Sequence, residues 1–173
     1  DHYFPGELGQ LYPRQDQILV PCGLHVENPA FKHRHWSGYA GAAGPGWRVR
    51  ASGGAYRFAF HHNLHAIISP QKYKDHPEYF PELDGKREVP KGPAGWQPCT
   101  SNPDVRRITI DYLLAYFAEN PNSKSCSLGV NDSAGYCQCR ACLADSPPGA
   151  DPKGREAVAF RFFNYYNAVA EEV

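Results

Sequence analysis

A chain of 173 residues is long enough to bury a core of its own, and its 18 Lys+Arg against 18 Asp+Glu leave no formal net charge. That balance removes the basic field with which proteins gather nucleic acid or anionic membrane, and with no run of about eighteen apolar residues nothing reads as a membrane span. Aromatics at 13 %, with 11 Tyr and 3 Trp, and 16 each of Gly and Pro suit long ordered loops that present flat, hydrogen-bonding side chains to neutral ligands such as sugars.

Phe4-Pro5-Gly6-Glu7 and Leu11-Tyr12-Pro13 precede a short apolar run, Ile18-Leu19-Val20, so residues 1–21 read as a linker feeding a strand. No initiating Met or signal-type leader is present, and Glu172-Val173 still reads as helix, which makes the sequence look like a segment of a longer polypeptide. Pro29 to Trp36 is long enough for a strand, and Tyr56 to Phe60 is a clearer one, closed by His61-His62. Seven Pro residues fall from Pro70 to Pro103, an elaborated loop in which Leu83-Asp84-Gly85-Lys86 suits a hairpin turn. Asn102 as N-cap, Pro103 at the first helical position and Asp104 in the first turn then predict a helix with Val105, Ile108, Tyr112 and Tyr116 down one face, stopped by Asn120-Pro121. Ser125 to Val130 reads as a buried strand ending in Asn131-Asp132, and a Cys-rich loop leads to a second helix from about Arg155 with Val158, Phe162, Tyr166 and Val169 as its stripe.

Strands alternating with helices predict an α/β fold with a parallel sheet, because parallel neighbours need crossovers. In such folds ligands meet the carboxyl ends of strands, where His61-His62 and Asn131-Asp132 fall. Asp132, with Asn131 beside it, is the first candidate for catalysis, since glycosidic hydrolysis needs a carboxyl group to protonate the leaving oxygen or hold an assisting group. The same Asp also serves as a cap for the following turn. His61 and His62 alternate in direction along an extended segment, so at most one faces a cleft and binds substrate while the other is structural. Arg34 and Trp36, near the end of the earlier strand, suit carboxylate clamping and sugar stacking as well as packing. Glu78 lies in a segment that reads either as a substrate-binding rim or as a solvated loop.

Cys137-x-Cys139-x-x-Cys142 is the tightest local signal among the six cysteines. Three thiols so close can surround a structural zinc ion, though a fourth ligand is not evident; Cys126 qualifies only if its strand returns nearby. Disulfides among these residues, Cys22, Cys99 and Cys126 fit the spacing equally, free buried thiols are the remaining reading, and six cysteines lean toward an oxidising compartment.

Phe4-Pro5-Gly6-Glu7, Pro29-Ala30-Phe31, Trp47-x-x-Arg50, His61-His62, His76-Pro77-Glu78-Tyr79-Phe80, Gly85-Lys86-Arg87, Cys99-Thr100-Ser101-Asn102-Pro103, Asn131-Asp132 and the Cys triplet follow one another in an order that resembles the bacterial family called domain of unknown function 4838. The resemblance implies a (β/α)8 barrel, here about its first half with long βα loops, distantly similar to α-glucuronidases and β-hexosaminidases. It makes residues 1–21 the linker from an α/β domain preceding the sequence and residues 22–173 the first half of the barrel. The strand ending at Asp132 becomes the fourth, which in related glycosidases often presents an acid. The resulting expectation is a glycoside hydrolase-like protein that is secreted, periplasmic or on the cell surface. It binds carbohydrate, needs no cofactor for catalysis and has the remainder of its own polypeptide as partner. The alternative is a non-catalytic carbohydrate-binding or structural domain held by a Cys-bound metal or by disulfides.

Overall fold

The computed structural model describes residues 58–173 together with Asp16, Gln17, Cys22, Gly23, Ala30 and Phe31. The chain divides into two units, Asp1–Phe58 and Ala59–Val173, and the second carries the described elements. In order these are helix α1 (Leu64–Ile67), a 3-10 turn (Pro77–Tyr79), strands β1 (Glu82–Leu83) and β2 (Lys86–Arg87), and helices α2 (Pro103–Glu119), α3 (Arg140–Ala144) and α4 (Arg155–Ala170). The expected linker, apart from Asp16 and Gln17, and most of the strand expected over Pro29–Trp36 lie outside the described residues.

Helix α2 begins where its local chemistry says it should. The Asn102 side-chain oxygen accepts from the N–H groups of Asp104 (2.8 Å) and Val105 (3.4 Å), and Pro103 occupies the first position, where an N–H would have no partner. Its buried face is Val105, Thr109, Ile110 and Leu113, rotated from the expected stripe, with Ile108 and Tyr112 left partly buried at the flank. A polar residue can occupy the middle of that face because the Thr109 hydroxyl donates to the Val105 carbonyl (3.0 Å) and meets the Tyr165 hydroxyl of α4 at 2.6 Å. Burial pushes the Tyr165 phenol well above its ordinary range despite that bond, so the group is neutral.

Helix α4 departs from its expected stripe in a similar way. Ala157, Arg161, Phe162, Tyr165 and Val169 are buried, with Val158 and Tyr166 packed at the margin. Arg161 is tolerated inside because it donates to the carbonyls of Cys142 (2.9 Å) and Pro152 (2.8 Å), tying the Cys-rich loop to the helix. Leu64, Phe80, Trp96, Val105 and Val169 belong to the core that α1, α2, α4 and the long loop share.

The hairpin forms around Asp84 (φ 50°) and Gly85 (φ 75°), a two-residue loop with both φ positive, and pairs Glu82 with Arg87 and Leu83 with Lys86. Among the described residues it is the only sheet. Neither Phe58–Phe60, the described part of the strand expected at Tyr56–Phe60, nor Ser125–Val130 forms a regular strand; just past the first, His62 makes an isolated parallel bridge with Gly129 of the second. Side chains take over bonds that a regular ladder would draw from the main chain: Ser125 Oγ accepts from Ala59 N–H, Ser127 Oγ donates to the His61 carbonyl, and Asn63 Nδ2 donates to the Ser127 carbonyl. The two backbones approach so closely that a Cβ on Gly129 would lie 2.4 Å from the His61 oxygen. Tyr166 of α4 holds the second segment by donating to the Leu128 carbonyl (2.9 Å).

Candidate functional site

The fourth cysteine is Cys99. Buried Cys99, Cys137, Cys139 and Cys142 bring their Sγ atoms within 4.8 Å of one another. From Cys99 the separations are 3.6 Å to Cys137 and 3.8 Å to both Cys139 and Cys142. A tetrahedral ion with metal–sulfur bonds of about 2.3 Å holds its thiolates about 3.8 Å apart, so the spacing is that of four ligands around one centre. All six cysteines are free thiols, and Cys99 stands nearly equidistant from three partners, which is not the pairwise arrangement of a disulfide framework. Cys126 lies elsewhere, partly buried against the main core.

Three stretches of chain converge to build this cluster. The Cys99 N–H donates to the Tyr79 carbonyl (2.9 Å), the Gln138 N–H to the Glu82 carbonyl (2.8 Å), and Asn102 Nδ2 to the Glu78 carbonyl (3.2 Å), so the 3-10 turn, the hairpin and the start of α2 are all fastened around the thiols. Two donors point at sulfur: the Glu82 N–H at Cys137 (3.3 Å) and the Ser101 hydroxyl at Cys142 (3.1 Å). Arg87 donates to the carbonyls of Phe80 and Glu78 and to the Glu82 carboxylate, and presents its cation alongside Cys99 and Cys139. Burial works against the charge on that guanidinium, and the contacts with Cys99 and Cys139 outweigh it, so its pKa is raised.

Packed together, Cys99, Cys137 and Cys142 cannot all ionise unaided. Hydrogen bonds with Cys137 and Cys142 push the Cys99 thiol far above its ordinary value, and Cys142 chiefly pushes Cys137 up to about 11. Cys142, hydrogen-bonded by Cys137, Cys99 and Ser101, is pushed far down. A set of this kind can hold four thiolates only around a cation.

A second group forms where the two extended segments end. The ring of His62 hydrogen-bonds through Nδ1 to the Val130 carbonyl (2.5 Å), which places the proton on Nδ1 and turns Nε2 toward Asp132, 4.0 Å from Oδ1. The Asp132 side chain is 88 % exposed, whereas its neighbour Asn131 is 1 % exposed. Asn131 Oδ1 accepts from the His65 N–H (2.7 Å) and Nδ2 donates to the Trp96 carbonyl (2.9 Å), so this amide shapes the turn from below. His61 is exposed, and its carbonyl is the acceptor for Ser127.

Sequence reasoning missed Gln97 entirely. Wholly buried, it accepts from the Asn131 N–H (3.0 Å) and donates to the carbonyls of Asn131 and Ser133 (both 2.9 Å), holding the turn that displays Asp132. A buried Gln inside a Pro-rich loop leaves no periodic trace, and Arg161 of α4 is hidden because apolar periodicity assigns a charged residue to the solvent face. Glu78 belongs to the other group: its carbonyl accepts from Arg87 and Asn102, and its carboxylate is bound by His76 Nδ1 (2.9 Å), which holds it below the usual carboxylate range. Arg34 and Trp36 lie outside the described residues.

No curated protein and no solved structure matches the chain. The blocks around Pro77–Phe80, Gly85–Arg87, Cys99–Pro103 and the Cys triplet, scattered over some sixty positions, fold into one knot, and Asn131-Asp132 is tied to it through Gln97. The family model that spans them, Domain of unknown function (DUF4838), matches residues 4–173, and the chain belongs to that family.

Proposed function

We propose that the chain is part of an exported bacterial carbohydrate-active protein of the glycoside-hydrolase kind, built on a (β/α) barrel, with Asp132 as its acid or polarising carboxylate. The observation that carries this reading is the approach of His62 Nε2 to Asp132 Oδ1, 4.0 Å apart at the ends of two segments joined in parallel. Strand ends of that kind are where (β/α) folds place their chemistry. Asp132 would protonate the leaving oxygen or hold an assisting group, His62 would sustain its charge or bind a sugar hydroxyl, and Asn131 would fix the turn. Arg34, Trp36, His61 and Glu78 remain candidates for contacts to the sugar.

In the same reading Cys99, Cys137, Cys139 and Cys142 hold one structural zinc ion. Four buried thiolates form a closed set, so the ion would fasten the loops rather than take part in hydrolysis.

The full-length protein and its Asp132→Asn variant, assayed on a panel of uronic-acid and hexosamine glycosides, test the assignment. Hydrolysis that falls at least a hundredfold in the variant is expected, and unchanged turnover ends it. The second reading, a non-catalytic sugar-binding or structural domain, draws on the buried closed cysteine set and on the high exposure of Asp132. It predicts sugar binding without hydrolysis by either protein.

A further inference from the structure

A divalent ion held by four thiolates carries a net charge of two minus, and burying that charge is costly unless other groups offset it. The residues that meet this need come from positions far from the Cys triplet. The Glu82 N–H reaches Cys137 at 3.3 Å and the Ser101 hydroxyl reaches Cys142 at 3.1 Å. Arg87, opposite Glu82 in the hairpin register, is held with its guanidinium 3.4 Å from the Glu82 carboxylate and against the carbonyls of Phe80 and Glu78. Its side chain is only 21 % exposed, so its charge acts through a medium that screens it less than water does.

Resting on the tetrathiolate reading above, we infer that Arg87, Ser101 and the Glu82 N–H form the outer shell of a mononuclear centre, with Arg87 the positioning residue that offsets its negative charge. All four sulfurs lie within 4.8 Å of one another, which leaves room for one ion; a multinuclear cluster, with bridging atoms between its metals, would spread its thiolates farther apart. Each donor lowers the energy of the sulfur lone pairs and orients the thiolate it touches, as outer partners do in other metal sites. The hairpin thereby acquires a purpose that its sequence alone does not reveal: the turn at Asp84-Gly85 brings Arg87 back to Glu82, whose N–H meets Cys137.

Cobalt(II) and zinc, titrated separately into the full chain stripped of metal under reducing conditions, test the inference, alongside Arg87→Gln, Arg87→Lys and Ser101→Ala variants. The unaltered chain is expected to take up one equivalent of cobalt with an intense sulfur-to-cobalt charge-transfer band. In Arg87→Gln that band moves to longer wavelength, because the sulfur electrons are less tightly held, and zinc affinity in a chelator competition falls ten- to a hundredfold. Arg87→Lys recovers part of both effects, since it keeps the charge and loses the planar fork. Ser101→Ala moves the band in the same direction by less, and decides the matter alone if Arg87→Gln does not fold. A residue that merely braced the hairpin would leave the band of the folded, loaded protein where it was, so unchanged bands in Arg87→Gln and Ser101→Ala overturn the outer-shell assignment while leaving the centre intact. Failure of the unaltered chain to bind either metal overturns both.

Discussion

Gln97→Leu isolates the residue that joins the two halves of the site. Leu is similar in size but removes three hydrogen bonds: the Asn131 N–H and the Ser133 carbonyl lose the Gln97 partner, while the Asn131 carbonyl keeps the Ser133 N–H (2.8 Å). Asn131 is 1 % exposed, so its N–H stays dry and costs about 1–3 kcal/mol when unpaired. The Ser133 carbonyl is only partly buried and can turn to water. Apolar burial of the new side chain offsets the two weakened carbonyl contacts, which leaves a net destabilisation of about 1–3 kcal/mol. Reversible urea unfolding at pH 7, followed by helical circular dichroism, measures it; a loss below about 1 kcal/mol at unchanged denaturant slope would refute the account of Gln97. Gln97→Glu adds a pH signature. A protonated carboxyl can still accept from Asn131 N–H and donate to one carbonyl, whereas the carboxylate faces two carbonyl oxygens in a dry site. Its folded pKa is therefore raised above the unfolded value of about 4.3, and the variant's stability is greatest below that pH and falls as pH rises toward the folded pKa.

Gly135→Ala is expected to be far worse than Gly149→Ala. Both glycines have positive φ (63° and 82°), a strain of about 1–3 kcal/mol for alanine, but only at Gly135 does the new Cβ collide with main chain, 2.3 Å from the Gly95 oxygen. Equal unfolding midpoints for the two would contradict that contact. Asn102→Ala removes the acceptor for the first N–H groups of α2 and should lower stability by about 1 kcal/mol in the same urea assay, with Asn102→Ser recovering most of it. Protein purified under reducing conditions should contain one equivalent of zinc by elemental analysis; stripping it should lower the thermal midpoint and re-addition restore it, and a midpoint indifferent to the metal would discount the proposed staple.

What the sequence disclosed was whatever local chemistry decides. Asn102-Pro103-Asp104 specifies a helix start because cap, missing N–H and first-turn carboxylate act within four residues, and Leu83-Asp84-Gly85-Lys86 specifies a hairpin because two positive φ angles fix the strand directions. Cys99 escaped as the fourth ligand because 38 residues separate it from Cys137 and only docking of the hairpin and the 3-10 turn brings them together. Both helical stripes were displaced by polar residues that tertiary partners make tolerable inside, Thr109 by Tyr165 and Arg161 by the Cys142 and Pro152 carbonyls. Apolar periodicity cannot register such positions, since it scores the residue and not its partner.

The same two segments carry both chemical groups. Trp96-Gln97 lies against Asn131–Gly135 through the Gln97 side chain, the Gln97 N–H to the Gly135 carbonyl (3.0 Å) and the close approach at Gly95, and two residues farther on each segment supplies a thiol, Cys99 and Cys137. In the proposed centre, fastening those thiols to one ion would shorten the loop whose entropy the Asp132 turn otherwise regains on loosening. The buried Asn131 amide passes the constraint to His65, at the first turn after His62. An exposed carboxylate on an irregular loop would ordinarily wander. Here its turn is braced on one side by Gln97 and on the other by the parallel bridge at Gly129, so the Asp132 turn and the cysteine cluster are two ends of one structural unit.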